Sequence, residues 1–165
     1  MEFKQALTTK NITPGVNKCS HIILHHTGTQ EGTIKGVLNT LTTGTVSAHF
    51  VIDEFGSMYK IGSPEQIMWH CGVSSWGKLK DMNKYSIGIE VIGPLKNGSF
   101  TDLQRRSVKE LLLHLMKHYK IPVENVLRHA QIAPGRKTDI APSFWEPEFK
   151  TWEDWKQAKL TECTL

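Results

Sequence analysis

The sequence predicts an α/β domain in which a central mixed β-sheet is flanked by helices. Three observations carry that expectation. Short apolar, β-branched runs recur at 20–26, 46–52 and 86–92. A strongly periodic helical segment follows at 101–119, and helical and extended stretches alternate along the chain. The length of 165 residues, 39% of them apolar, supplies one sizeable core, so a single domain spanning 1–165 is expected, with no separate wall-binding unit. No repeat, low-complexity tract or Pro/Ser-rich linker divides it.

The elements follow in order. SHIILHH at 20–26 reads as a buried strand, and 33–41 as a weak helix burdened by Gly36 and several threonines. Residues 46–52 and 58–61, separated by Asp53-Glu54-Phe55-Gly56, read as a hairpin. SIGIEVI at 86–92 is a further strand, closed by Gly93-Pro94. Thr101 and Gln104 form a capping box. Behind it Leu103, Val108, Leu111, Leu112, Leu115, Met116 and Tyr119 recur at helical spacing until Pro122 ends the helix. A short strand at 126–129, a Pro/Gly-rich loop and a terminal helix at 147–160 complete the chain.

Composition excludes several classes. Twenty basic against sixteen acidic residues leave a net charge of +4, which suits an anionic partner such as nucleic acid or a bacterial wall. No finger or RNP-like motif supports nucleic acid, so none is expected. No apolar run approaches the ~18 residues of a membrane span. The opening MEFKQALTTK lacks the apolar core and cleavage site of a signal peptide, so cytoplasmic synthesis is expected. Cys19, Cys71 and Cys163 are scattered and read as reduced thiols without a mechanistic part. Gly72-Val73-Ser74-Ser75-Trp76 fails the nucleophile elbow, and no phosphate-binding glycine loop or H-E-x-x-H is present.

The chemistry concentrates at strand ends. His25 and His26 close the first strand, and neighbours on a strand point to opposite faces, so at most one faces a given site. His129 closes a later strand and leads into AlaGlnIleAlaProGlyArgLysThrAsp, ending at Asp139. Two imidazoles and a carboxylate leave one tetrahedral zinc position open, as catalytic sites do, with Cys71 beside His70 as a competing ligand. Glu90 interrupts an apolar strand. A buried carboxylate must be paired, protonated or used, and beside a metal its raised pKa suits proton transfer.

At these residues the chain resembles the zinc-dependent type-2 N-acetylmuramoyl-L-alanine amidases, which include AmpD-type enzymes, phage amidase endolysins and peptidoglycan-recognition proteins. Five segments match in family order: IleIleLeuHisHisThr at 22–27, ValSerAlaHisPheValIle at 46–52, TrpHisCysGlyValSer at 69–74, SerIleGlyIleGluValIleGly at 86–93, and ArgHis to AlaProGlyArgLysThrAsp at 128–139. The AmpD branch is the most similar. The resemblance implies a zinc site at one edge of the sheet, with His25, His129 and Asp139 as ligands. It further implies Glu90 as general base, Lys137 facing the scissile amide, and His70, Asn83 and Arg136 along the substrate groove. Ala48 stands where phage and recognition-protein relatives carry a catalytic tyrosine, which agrees with the AmpD pattern.

The implied reaction is hydrolysis of the amide joining the lactyl group of N-acetylmuramic acid to L-alanine of the stem peptide. The basic charge and compact length favour a monomeric endolysin reaching the wall through holin lesions. The alternative is cytoplasmic recycling of anhydro-muropeptides. A non-catalytic peptidoglycan-binding module fits less well, because the ligand residues are retained.

Overall fold

A computed structural model describes residues 2–5, 8–28, 33–145 and 147–161. Its strands are β1 (Lys4–Gln5), β2 (Ile12–Thr13), β3 (His21–His26), β4 (Phe50–Ile52), β5 (Met58–Lys60), β6 (Ile67–Met68), β7 (Ser75–Trp76), β8 (Leu79–Lys80), β9 (Ser86–Val91) and β10 (Val126–Arg128). Its α-helices are α1 (Ile34–Thr43), α2 (Asp102–Tyr119), α3 (His129–Ile132) and α4 (Trp152–Leu160). Among the described residues no helix is long and apolar enough to cross a membrane.

The main sheet is mixed, with strand order β1-β5-β4-β9-β3-β10. The strands β4, β9, β3 and β10 run parallel, and β5 returns antiparallel to β4 with β1 parallel alongside it. Two small antiparallel ribbons, β2–β6 and β7–β8, stand outside it. Both faces are covered, as a largely parallel sheet requires. On one face Ile22 and Leu24 of β3 and Ile87, Ile89 and Val91 of β9 pack with Val108, Leu111, Leu112 and Leu115 of α2 and Trp152 and Trp155 of α4. Each fully buried aliphatic side chain contributes roughly 1.5–3 kcal/mol. On the other face Val37 and Leu41 of α1 cover Ala48, Val51 and Ile92, while Ile23 meets Cys71, Met82, Leu127 and Ile132.

Local chemistry explains the boundaries. Thr101 Oγ1 accepts from the Gln104 amide and Gln104 Oε1 accepts from the Thr101 amide, so the capping box forms. Gln104 Nε2 also donates to the Ile92 carbonyl at 2.7 Å, tying the helix start to the end of β9. The helix ends where Lys120 adopts φ +55°, two residues before Pro122. Leu103 departs from the expected core: it lies in the first turn on the outer side and is 49% exposed.

Other boundaries move by a few residues. The strand predicted from residue 46 begins at Phe50, because at 47–49 the chain instead ties Ser47 to the Trp69 carbonyl and the His49 amide to Gly88. The terminal helix predicted from 147 begins at Trp152, where Thr151 and Asp154 cap each other reciprocally. The strand predicted to 129 stops at Arg128, and His129 opens α3 instead. Cys163 lies outside the described residues.

Candidate active site

Because β3, β9 and β10 are parallel, their carboxyl ends lie side by side, and the residues closing them meet. Register places His25 opposite Glu90, and β10 delivers His129 one residue past its end. The loop after α3 turns back so that the Asp139 carbonyl accepts from the Ala130 amide at 2.7 Å, bringing the Asp139 carboxylate under both imidazoles. His25 Nδ1 lies 2.9 Å from His129 Nδ1 and 3.3 Å from Asp139 Oδ2, and His129 Nδ1 lies 3.1 Å from the same oxygen. A tetrahedral zinc with bonds of about 2.0–2.1 Å has ligand–ligand edges near 3.3 Å. The three atoms therefore form one face of such a site and can hold a metal ion.

The outer hydrogen bonds decide which atoms are offered inward. His129 Nε2–H donates to the Cys71 carbonyl at 3.0 Å, leaving Nδ1 with its lone pair. His70 Nε2–H donates to the Ser86 carbonyl at 3.3 Å, so His70 Nδ1 accepts from His25 Nε2–H at 3.0 Å. His25 Nδ1 is thereby also an acceptor. Two nitrogen lone pairs and a carboxylate oxygen converge without a hydrogen among them, which is the donor set of a cation. Burial pushes His25 down to about 4, favouring the neutral ring a metal needs.

His25, His70 and Cys71 form a second group of facing donor atoms, on the opposite nitrogen of His25. Burial drives the Cys71 thiol far above its ordinary value, so it stays protonated. That group carries no charge at neutral pH, whereas the Asp139 set carries one. Charge therefore favours the Asp139 set for a dication.

Glu90 borders the same space. Its Oε2 is buried with no hydrogen-bond partner among the described residues. Burial, reinforced by the Asp139 charge and opposed by Lys137, raises its carboxyl to about 8. Glu90, Lys137, His25, His26, His129 and Asp139 line one cleft of about 530 Å³, whose opposite wall is Thr33, Gly36, Val37, Thr40 and Leu41 on and before α1. Both histidines of the pair reach this cleft, contrary to the alternation argument, because His26 is the last residue of β3.

The expected substrate-side residues divide. His70 lies buried behind His25 with an edge on the cleft. Asn83 Oδ1 accepts from the His70 and Cys71 amides at 3.0 and 2.8 Å. Arg136 donates to the Cys71 and Val73 carbonyls at 2.6 and 2.7 Å. Neither Asn83 nor Arg136 is among the residues lining the cleft; both brace the 70–73 turn. Sequence reasoning passed over the α1 wall and Gly88. A glycine inside an apolar strand is the signal for the latter, marking a close approach.

This site sits at the carboxyl ends of the parallel strands β3, β9 and β10 and faces the open cleft. The family model described as N-acetylmuramoyl-L-alanine amidase matches residues 15–142, and the chain belongs to that family and has its amidase activity. The 1,6-anhydro-N-acetylmuramyl-L-alanine amidase AmpD of Salmonella typhimurium is 30% identical over 154 residues, covering 83% of this chain and 82% of AmpD. A crystal structure of AmpD superposes with a TM-score of 0.75 at 25% identity, covering 98% of this chain and all of that one. AmiD from E. coli, solved with anhydro-N-acetylmuramic acid-L-Ala-D-gamma-Glu-L-Lys, gives 0.72 at 25% identity, covering 88% of this chain and 59% of AmiD. The endolysin LysCS from Clostridium intestinale shares the fold, with a TM-score of 0.65 at 20% identity over 94% of each chain.

Proposed function

We propose that the chain cleaves the amide between the lactyl group of N-acetylmuramic acid and L-alanine, using one zinc ion held by His25, His129 and Asp139. The convergence of three acceptor atoms with no hydrogen among them carries this reading. Zinc in such a set supplies a Lewis acid and brings the pKa of a bound water toward ~7. Glu90, facing the cleft with an unpartnered oxygen, takes the proton of the attacking water and returns it to the departing alanine nitrogen. The Lys137 ammonium, on the same cleft, stabilises negative charge developing on the carbonyl oxygen, a type of interaction worth about 3–4 kcal/mol per donor. Ala48 is fully buried beneath α1, so no side chain from that position shares the proton transfer.

Soluble anhydro-muropeptides are the substrate this reading favours over intact wall. The charge and length that pointed to an endolysin are weaker grounds than the AmpD likeness, which extends over most of both chains. The endolysin reading retains one observation in its favour, the net charge of +4. Mass spectrometry of products from purified anhydro-muropeptide and from intact sacculi, each with and without chelator, tests both. Faster release of stem peptide from the soluble substrate, abolished by chelator, is expected. Preferential attack on sacculi would reverse the assignment.

A further inference from the structure

On the far side of His25 from Asp139, His70 lies 93% buried with both ring nitrogens engaged. We infer that His70 is a positioning residue whose Nδ1 accepts the His25 Nε2 proton and so presents the His25 Nδ1 lone pair to the metal. The inference rests on the zinc reading above. A metal-ligating imidazole whose second nitrogen has no fixed partner can take either tautomer and can rotate, and both weaken the site.

The orientation of His70 is itself built in. Its Nε2–H has the Ser86 carbonyl as acceptor, and its backbone amide is held by Asn83 Oδ1. The neighbouring strand makes room for the ring: a Cβ on Gly88 would fall 2.5 Å from His70 Cγ and Nδ1. No side chain larger than hydrogen fits there without moving the imidazole. His49 secures the same strand, its Nδ1 accepting from the Gly88 amide while Nε2–H donates to the Gln66 carbonyl. The Ser86 carbonyl, His70 and His25 thus form a directed chain, each hydrogen bond fixing the next toward the metal. Cys71 Sγ, 3.2 Å from His70 Nδ1, is the competing partner for that nitrogen. His25 Nε2–H, at 3.0 Å, is the nearer and stronger donor to it.

The test uses the full chain loaded with zinc and labelled with nitrogen-15 histidine. A His25 Nε2 proton with a coupling through the hydrogen bond to His70 Nδ1 is expected. Zinc affinity, read by competition with a chelator, should fall about 10–100-fold in His70→Phe, the range a lost second partner costs. Gly88→Ala should show a similar loss while removing no donor or acceptor. His70→Asn, whose Oδ1 can take the place of Nδ1, should stay within about threefold of the unaltered chain. A zinc-loaded chain whose His25 Nε2 carries no proton, or full zinc affinity in both His70→Phe and Gly88→Ala, overturns the inference. The coupling decides alone if the variants fail to fold. A chain that takes up no zinc overturns the metal reading and this inference with it, whereas zinc uptake without the coupling overturns only the role of His70.

Discussion

The two faces of β3 and β9 come from alternate residues of the same twelve, yet they are built on different principles. Ile22, Leu24, Ile87, Ile89 and Val91 join an apolar layer with α2 and the stacked Trp152 and Trp155, where many weak contacts share the work. Behind them Ile23, His25, Gly88 and Glu90 face a layer in which His25 Nε2 and the Gly88 amide depend on single named partners and Glu90 Oε2 has none among the described residues. The first face loses stability in proportion to what is removed. The second should lose function from a single atom while the fold stands.

The largest effect should come from the ligand set. His129→Ala is expected to lower zinc stoichiometry from one per chain to near zero by elemental analysis, with activity lost alongside. Zinc that persists in this variant but disappears in Cys71→Ser would move the site to the second group.

Glu90→Gln comes next. It keeps shape and zinc but cannot accept a proton, so kcat should fall at least about a hundredfold; retention of more than roughly a tenth places the base elsewhere. The same variant should change stability in a defined direction. The Glu90 carboxyl sits at about 8 in the metal-free fold, above its ordinary 4.5. The folded chain therefore holds a proton that the unfolded chain releases, and stability must decline as pH rises from 4.5 to 8. Thermal melts of the metal-free unaltered chain should decline across that window relative to Glu90→Gln. Subtracting the two removes His25, whose depressed value acts in the opposite direction below pH 6.5. Parallel melts would separate Glu90 from this account.

On the apolar face, Leu111→Ala should cost about 2–5 kcal/mol in denaturant unfolding and leave kcat within about twofold of the original. A large fall in kcat with zinc retained would show that the two faces are coupled. Smallest of all should be Cys19→Ser and Cys71→Ser, since burial raises both thiols, Cys19 to about 11, and keeps them unreactive. Each should keep most activity; a large kcat loss for Cys71→Ser with zinc bound would give its thiol a part in the reaction.

The sequence exposes the second face more clearly than the first because charged and imidazole residues interrupt apolar runs there. His25, Glu90 and His129 each stand at or near a strand end, and Asp139 closes a loop restricted by Pro134 and turned at Gly135. Helix α2 was equally legible, since Thr101 and Gln104 fix its start and the period fixes its buried side. The two-residue strands β1, β2, β6, β7 and β8 were not, because so short a segment has no period and owes its conformation to its partner. The start of α4 depends on Thr151 and Asp154 rather than on Pro147, and a weak apolar pattern conceals it. The hydrogen bond from His25 to His70 spans 45 positions and leaves no trace in local spacing.

The parallel arrangement also sets where the chain tolerates changes in length. One residue inserted inside β9 would slip its register, turn Glu90 to the tryptophan side and bring an isoleucine or valine to the cleft. Gly77 at the β7–β8 turn and Gly98 in the turn before α2 both have positive φ and open space around them, and neither lies in a strand of the main sheet. An affinity tag or fluorophore acceptor peptide belongs at those two turns, where added length leaves the pairing of β3, β9 and β10 untouched.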